Sequence, residues 1–360
     1  MLRTDVTGSK LWLLWVACAG VGAAAAALVV LGNPGNMGIC GACFLRDTAG
    51  ALGLFAGDGP RVFRPELVGL IFGAFVVRLV QRRTEGRAGA HSAARFFLGL
   101  WMGIGALVFL GCPFRMLQRI GGGDLNAVVG LVGFVVGVGV GRLFEAKGFT
   151  AGKTASVIVP AGVPPLLLAA GGLVLFLCGA LPFGPGPDDT TGKPPHAYWV
   201  WALGLALFAG AVLSLTGFCA VSAARQVFSG PRRMLWAALA LVAGYLLVTA
   251  LTGKLKVGFA DQPVSHTDHL WNLLAMALVG LTGVLAGGCP VRQVVLAGEG
   301  NGDAMITAAG ILAGGCLAHS FLAVSSPSGP TPAGRASVLI GLAVSLAYAV
   351  WVVAAVARSK

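Results

Sequence analysis

Long apolar runs alternate along the chain with short polar breaks that hold most of its charged residues and prolines. The first run, 11–31, contains no charge and is long enough to cross roughly 30 Å of hydrocarbon as a helix. Nine further runs are each predicted to form an apolar helix: 65–80, 96–111, 126–140, 156–181, 198–215, 234–251, 270–287, 304–322 and 337–357. The pattern therefore predicts an all-α polytopic membrane protein with about ten spans.

Composition supports a lipid environment for most of the chain. Hydrophobic residues make up 57% of the 360 residues and charged residues only 11%, against roughly 25% charged in soluble domains. The chain also contains 56 glycines, and small residues let helices approach closely inside a membrane bundle. Several predicted spans are short for a bilayer, so we expect short re-entrant helices that end inside the protein.

Basic residues predict the orientation of the spans. A cytoplasmic N-terminus places most of the 25 Lys and Arg residues on the cytoplasmic side, in agreement with the positive-inside rule. We therefore expect a multi-pass protein of the cell inner (cytoplasmic) membrane with both termini in the cytoplasm. The basic residues form no long run, so the net charge of +12 does not indicate a nucleic-acid partner.

The first apolar run has a second interpretation. Arg3 and Lys10 precede it, as basic residues precede the apolar segment of a cleaved signal peptide. Such a segment usually has roughly 7–15 apolar residues. The run is longer than that, which favours an uncleaved span.

Two motifs occur twice, in the same order and at nearly the same spacing. Gly-Cys-Pro-x-Arg occurs at 111–115 and 288–292, and Gly-x-Cys followed six residues later by Arg occurs at 38–46 and 217–225. The repeated cysteines, which we call the pathway cysteines, are Cys40, Cys112, Cys219 and Cys289. The repeated arginines, which we call the repeat arginines, are Arg46, Arg115, Arg225 and Arg292. These matches divide the chain into two membrane half-repeats, 1–182 and 183–360.

The two halves are expected to have opposite orientations. Each half contains five predicted spans, and an odd number places equivalent loops on opposite faces of the membrane. Loops that enter from both faces and meet near the middle would give an hourglass-like, inverted-topology structure. A simpler interpretation is an old duplication whose loops only turn the chain.

The repeated residue types suit a small anion. Thiols donate weak hydrogen bonds and accept them through sulfur, and guanidinium groups attract anions, as do helix N-termini. We therefore predict that the pathway cysteines form a substrate pathway and that the repeat arginines attract the anion. Cys43 and Cys316 are predicted to be auxiliary, whereas Cys18 and Cys178 lie in long apolar runs and are expected only to pack.

Cys40 and Cys43 also have the Cys-x-x-Cys spacing of zinc ligands and of redox pairs. The equivalent of Cys43 in the second half is Ser222, and no histidine pair accompanies the motif. We expect no metal and no cofactor. A redox pair would instead make the protein a membrane thiol oxidoreductase or a relay enzyme that hands persulfide or selenide to a soluble partner. In a third interpretation, it is a structural membrane subunit whose cysteines only pack.

The segments 33–40, Asn-Pro-Gly-Asn-Met-Gly-Ile-Cys, and 43–53, Cys-Phe-Leu-Arg-Asp-Thr-Ala-Gly-Ala-Leu-Gly, together with both Gly-Cys-Pro-x-Arg motifs, resemble the YeeE/YedE sulfur-transport family of inner-membrane proteins. The likeness is greatest to the YedE branch, which is linked to selenium metabolism. The resemblance implies an hourglass-shaped transporter rather than an enzyme, with a line of cysteines as a relay. It also implies that the transported substrate is a small sulfur or selenium solute and that a small TusA/YedF-type sulfurtransferase is a partner.

Overall fold

The computed structural model describes residues 11–82, 86–89, 91–152, 154–157, 163–189 and 195–358. The chain is mostly helical, at 69%. Its helices are α1 (Leu11–Val30), α2 (Gly41–Ala51), α3 (Pro65–Val80), α4 (Ser92–Val108), α5 (Pro113–Gly121), α6 (Leu125–Ala146), α7 (Val163–Leu177), α8 (Trp199–Thr216), α9 (Ala220–Phe228), α10 (Arg233–Leu251), α11 (His269–Leu285), α12 (Pro290–Gly298), α13 (Gly302–Ser320) and α14 (Pro332–Arg358). Its strands form two short antiparallel pairs: β1 (Gly86–Gly89) with β2 (Thr154–Val157), and β3 (Ser325–Ser326) with β4 (Gly329–Pro330).

One helix of the structure corresponds to each predicted apolar run. In most cases the ends of the helix differ from those of the run by a few residues. The run 156–181 is the main correction, because its first residues do not belong to a helix. Ser156 lies in β2, where it pairs with Arg87 of β1. The helix α7 begins only at Val163, followed by two prolines, residues that suit the first turn of a helix because their missing N–H groups need no partner there.

Seven helical stretches of the described residues are long and apolar enough to cross a membrane. They are Leu11–Val30, Ser92–Gly121, Leu125–Ala146, Trp199–Phe228, Arg233–Leu251, His269–Gly298 and Pro332–Arg358. This confirms a helical protein with several potential membrane spans. The full number of ten stays a prediction, because α3, α7 and α13 fall outside this set.

Equivalent helices of the two halves pack in equivalent ways. The helix α1 packs along α10 as α8 packs along α3, and α6 packs along α11 as α13 packs along α4. Each of these pairs joins one helix from each half. The helix α1 is thus packed into the bundle, where it also contacts α8.

Glycines explain how closely these helices approach. A methyl group at Gly133 or Gly137 of α6 would overlap with the carbonyl oxygens of Leu273 and Ala277 of α11. At the equivalent positions of the other half, Gly310 and Gly314 of α13 face the carbonyl oxygens of Phe96 and Leu100 of α4 in the same way. Backbone-to-backbone contact of this kind needs residues without side chains.

Changing Gly137 to alanine is expected to destabilise the α6–α11 contact. The added methyl group would force the helices apart, and overpacking of this kind usually costs about 1–3 kcal/mol. Thermal unfolding of the purified protein in detergent should show a lower midpoint. Gly204→Ala is the matched control, because no other atom lies within 4 Å of the position its methyl group would take. Equal midpoints for the two variants would contradict the packing described here.

Candidate functional site

Each pathway cysteine is the residue that precedes a short helix. Cys40, Cys112, Cys219 and Cys289 are the N-caps of α2, α5, α9 and α12, respectively. Equivalent cysteines share backbone conformations: φ is −150° at both Cys40 and Cys219, and −79° and −74° at Cys112 and Cys289. Proline follows the latter two and fixes the start of the helix. The sequence repeat is therefore also a repeat of local structure.

The pathway cysteines form two thiol pairs that adjoin each other. The thiol of Cys40 interacts with that of Cys112. In the second half, the thiols of Cys219 and Cys289 interact in the same way, and the backbone N–H of Cys289 donates to Cys219 Sγ at 3.4 Å. Gly41, which follows Cys40, packs on Pro290, which follows Cys289, so the two pairs lie next to each other.

Contacts between the short helices hold the two pairs together. Gly41, the first residue of α2, packs on the backbone of Pro290 and Val291, where a side chain at Gly41 would come within 2.7 Å. Phe114 of α5 contacts Phe218 edge-to-face, with 5.9 Å between the ring centroids. All four pathway cysteines are buried. Helix N-termini from both halves therefore converge on one buried thiol cluster, and each contributes positive partial charge.

Arg115 adds a full positive charge to this cluster. Its side chain is buried, and it donates to the carbonyl oxygens of Asn36 at 2.9 Å and Gly35 at 3.4 Å, and to Cys43 Sγ at 3.6 Å. No carboxylate of the described residues lies within ion-pairing distance of it. A buried charge is costly without a counter-ion, so this position favours binding of an anion.

Arg292, the equivalent of Arg115, has a different electrostatic environment. Its guanidinium forms an ion pair with Glu299, with 3.3 Å between Nη1 and Oε1, and also donates to the carbonyl oxygen of Leu213 at 3.4 Å. Arg292 lies in the first turn of α12, three residues after Cys289. The second thiol pair therefore lies beside a guanidinium whose charge a carboxylate already balances.

The other two repeat arginines also have carboxylate partners. Arg46 pairs with Asp47 at 2.6 Å and contacts the ring of His319 at 3.2 Å. Arg225 pairs with Glu145 at 2.6 Å, and both side chains are about one-third exposed. The role of all four in attracting an anion stays a prediction.

The auxiliary cysteines occupy different environments. Cys43 is buried beside the thiol cluster, where its N–H donates to Cys40 Sγ at 3.4 Å and its sulfur accepts from Arg115. Cys316 lies partly exposed on α13. In the described part of the chain, no group of three or more His, Cys, Asp or Glu side chains could hold a metal ion.

Sequence reasoning missed two polar residues of the site. Gln118 on α5 is buried, accepts from the N–H groups of Gly38 and Ile39 at 3.0 Å each, and donates to the carbonyl oxygen of Ile39. It thereby fixes the chain that leads into Cys40. Glu299 is the second. It directly follows the last residue of α12 and lies seven residues, or two helical turns, after Arg292, a spacing that could have suggested that the two side chains are neighbours.

Comparison with known proteins gives one result for this chain. Residues 215–359 match the model of a family described as sulphur transport, and no curated protein matches the chain. The matched part contains the second thiol pair and the ion pair of Arg292. The protein has several helices that could cross a membrane. Over residues 215–359 it is similar to the sulphur transport family.

Proposed function

We propose that the protein is an inner-membrane transporter of a small inorganic sulfur anion such as thiosulfate. One observation carries the proposal: the buried guanidinium of Arg115, without a carboxylate among the described residues, contacts the sulfur of Cys43 beside the thiol cluster, where four helix N-termini meet. Such a site supplies positive charge together with soft, weak hydrogen-bonding groups. Both suit an anion that ends in sulfur.

The two halves, in this proposal, lie in the membrane in opposite orientations, each with five spans. Equivalent helices of the two halves pack in equivalent pairs, and glycines at equivalent positions make the same close contacts. Both observations support two copies of one unit. Short helices that enter from opposite faces would bring one thiol pair toward each side, and both termini would lie in the cytoplasm. Discontinuous helices whose N-termini point at an anionic substrate are a known arrangement in transporters.

Passage needs no covalent step. The anion would enter beside Arg115, accept weak hydrogen bonds from the first thiol pair, and step to the second pair, which adjoins it. Each contact is weak enough to allow release, which conduction requires. A selenium compound would use the same contacts, and a TusA/YedF-type sulfurtransferase would be a suitable cytoplasmic acceptor.

A membrane thiol oxidoreductase is the alternative, and one observation favours it. Cys40 and Cys43 form a Cys-x-x-Cys pair at the N-terminus of α2, with 3.4 Å between the Cys43 nitrogen and Cys40 Sγ. Cys-x-x-Cys pairs at helix N-termini occur in many thiol oxidoreductases. This pair would then exchange with a partner thiol–disulfide couple: two partner thiols reduce its disulfide and become a disulfide, and the reverse exchange oxidises the pair again.

Uptake by proteoliposomes tests the proposal. Liposomes that contain the purified protein should accumulate radiolabelled thiosulfate well above protein-free liposomes, and unlabelled thiosulfate should compete. Selenite and selenide, supplied in separate assays, test the selenium alternative. If uptake of all three compounds equals that of empty liposomes, the protein is not a transporter of these solutes.

A further inference from the structure

The two equivalent arginines of the thiol cluster differ in one respect: Arg292 has an internal carboxylate partner and Arg115 has none among the described residues. We infer that Glu299 is a built-in counter-ion that weakens anion binding at the second thiol pair and so promotes release of the substrate. This inference rests on the proposed function, because it assigns different tasks to the two thiol pairs.

Glu299 is firmly positioned for this task. Its Oε1 accepts from Arg292 at 3.3 Å and from the Ser214 hydroxyl at 3.1 Å. Its backbone carbonyl accepts from Arg78 of α3 at 2.8 Å. Both members of the ion pair are largely buried, with side chains 8% and 12% exposed, so solvent screens their attraction only partly. The carboxylate therefore competes directly with any anion that approaches Arg292.

The first half has no room for the same arrangement. The residue seven positions after Arg115, equivalent to Glu299, is Gly122. A side chain there would overlap with the Oδ1 atom of Asn36. The carbonyl oxygen of Asn36 in turn accepts from Arg115, so a larger residue at position 122 would disturb the guanidinium itself. The difference between the halves is therefore part of how each one packs.

An internal carboxylate changes affinity in a calculable way. An anion can pair fully with Arg292 only when Glu299 has moved away, so its apparent affinity falls in proportion to the fraction of time that Arg292 is available. If that fraction is about one-tenth, binding weakens about tenfold. Arg115 imposes no such competition. The thiol pair beside Arg115 would therefore capture the anion, and the pair beside Arg292 would release it.

Glu299→Gln separates these tasks, because the amide keeps the shape and removes the charge. In proteoliposomes, this variant should show a maximal thiosulfate uptake several-fold below that of the wild type. Binding of radiolabelled thiosulfate in detergent should be compared in an Arg115→Gln background, where only the second site contributes. There, adding Glu299→Gln should tighten binding about tenfold. Glu145→Gln is the matched control, since Glu145 also pairs with an arginine but at a partly exposed position.

The possible outcomes are distinguishable. Equal binding with glutamate and glutamine at position 299, and unchanged uptake, would overturn the inference and leave the proposed function intact. Absence of thiosulfate uptake by the wild type would instead count against the proposed function. If Glu299→Gln does not yield a monodisperse protein, Glu299→Asp serves in its place. Its shorter side chain retracts the carboxylate from Arg292, so binding should tighten by a smaller factor; unchanged binding would again contradict the inference.

Discussion

Replacing Arg115 with glutamine is expected to lower thiosulfate uptake by at least about thirtyfold. Removing one partner of a buried charge contact costs about 2 kcal/mol or more, which corresponds to that factor at room temperature. Folding should be little affected, because no carboxylate of the described residues pairs with Arg115 and loses its partner. Glutamine can still donate to the carbonyl oxygen of Asn36. Initial uptake rates at low thiosulfate concentration measure the effect.

Arg335→Gln provides the control for this experiment. It removes the same charge from a residue outside the two repeated motifs, one that is about half exposed and paired with Asp268. Exposed ion pairs contribute little, so uptake should stay within about twofold of the wild type. Equal losses in the two variants would show that overall positive charge matters rather than the buried site.

Replacing Cys112 and Cys289 together with alanine is expected to reduce uptake about tenfold to a hundredfold. Each thiol offers a weak hydrogen bond, and a hydrogen bond typically contributes about 0.5–1.5 kcal/mol. The two residues also lie where the thiol pairs adjoin, so their loss interrupts the pathway at one place. Cys18→Ala is the control, because Cys18 is buried in α1 and is not a pathway cysteine. A double variant that transports as well as the control would eliminate the cysteine pathway.

The same assay distinguishes transport from redox chemistry. A variant with both Cys43 and Cys316 replaced by alanine should retain most of its uptake if the thiols act only as hydrogen-bonding groups. Dithiol exchange between Cys40 and Cys43 would be lost in that variant. Loss of uptake with Cys43 replaced, together with full uptake in the Cys112 and Cys289 variant, would favour the oxidoreductase.

Local patterns in the sequence predicted much of the helical structure. The limits of α3 coincide with the predicted run 65–80, because proline at its first position and a polar break after Val80 mark both ends. The repeated motifs also indicated where short helices begin, since a cysteine followed by proline starts both α5 and α12. These features depend on neighbouring residues, and neighbouring residues are visible in a sequence.

Partners that are distant along the chain could not be predicted in this way. Arg225 and Glu145 are 80 residues apart, and nothing local indicates that they pair. The predicted span 156–181 includes the last two residues of β2, because the pairing of β2 with β1 joins segments on either side of three helices. The different environments of Arg115 and Arg292 are likewise not visible in their nearly identical motifs. The local difference lies seven residues further on, where Glu299 in the second half corresponds to Gly122 in the first.

The meeting of four helix N-termini has a further consequence for the cell. Positive ends of half-helices and a buried guanidinium raise the energy of any cation that approaches the centre, as they do in channels that exclude protons. A passage lined in this way would admit a sulfur anion and remain closed to sodium ions and protons. The gradients of sodium ions and protons would therefore not leak away through this route while it is open.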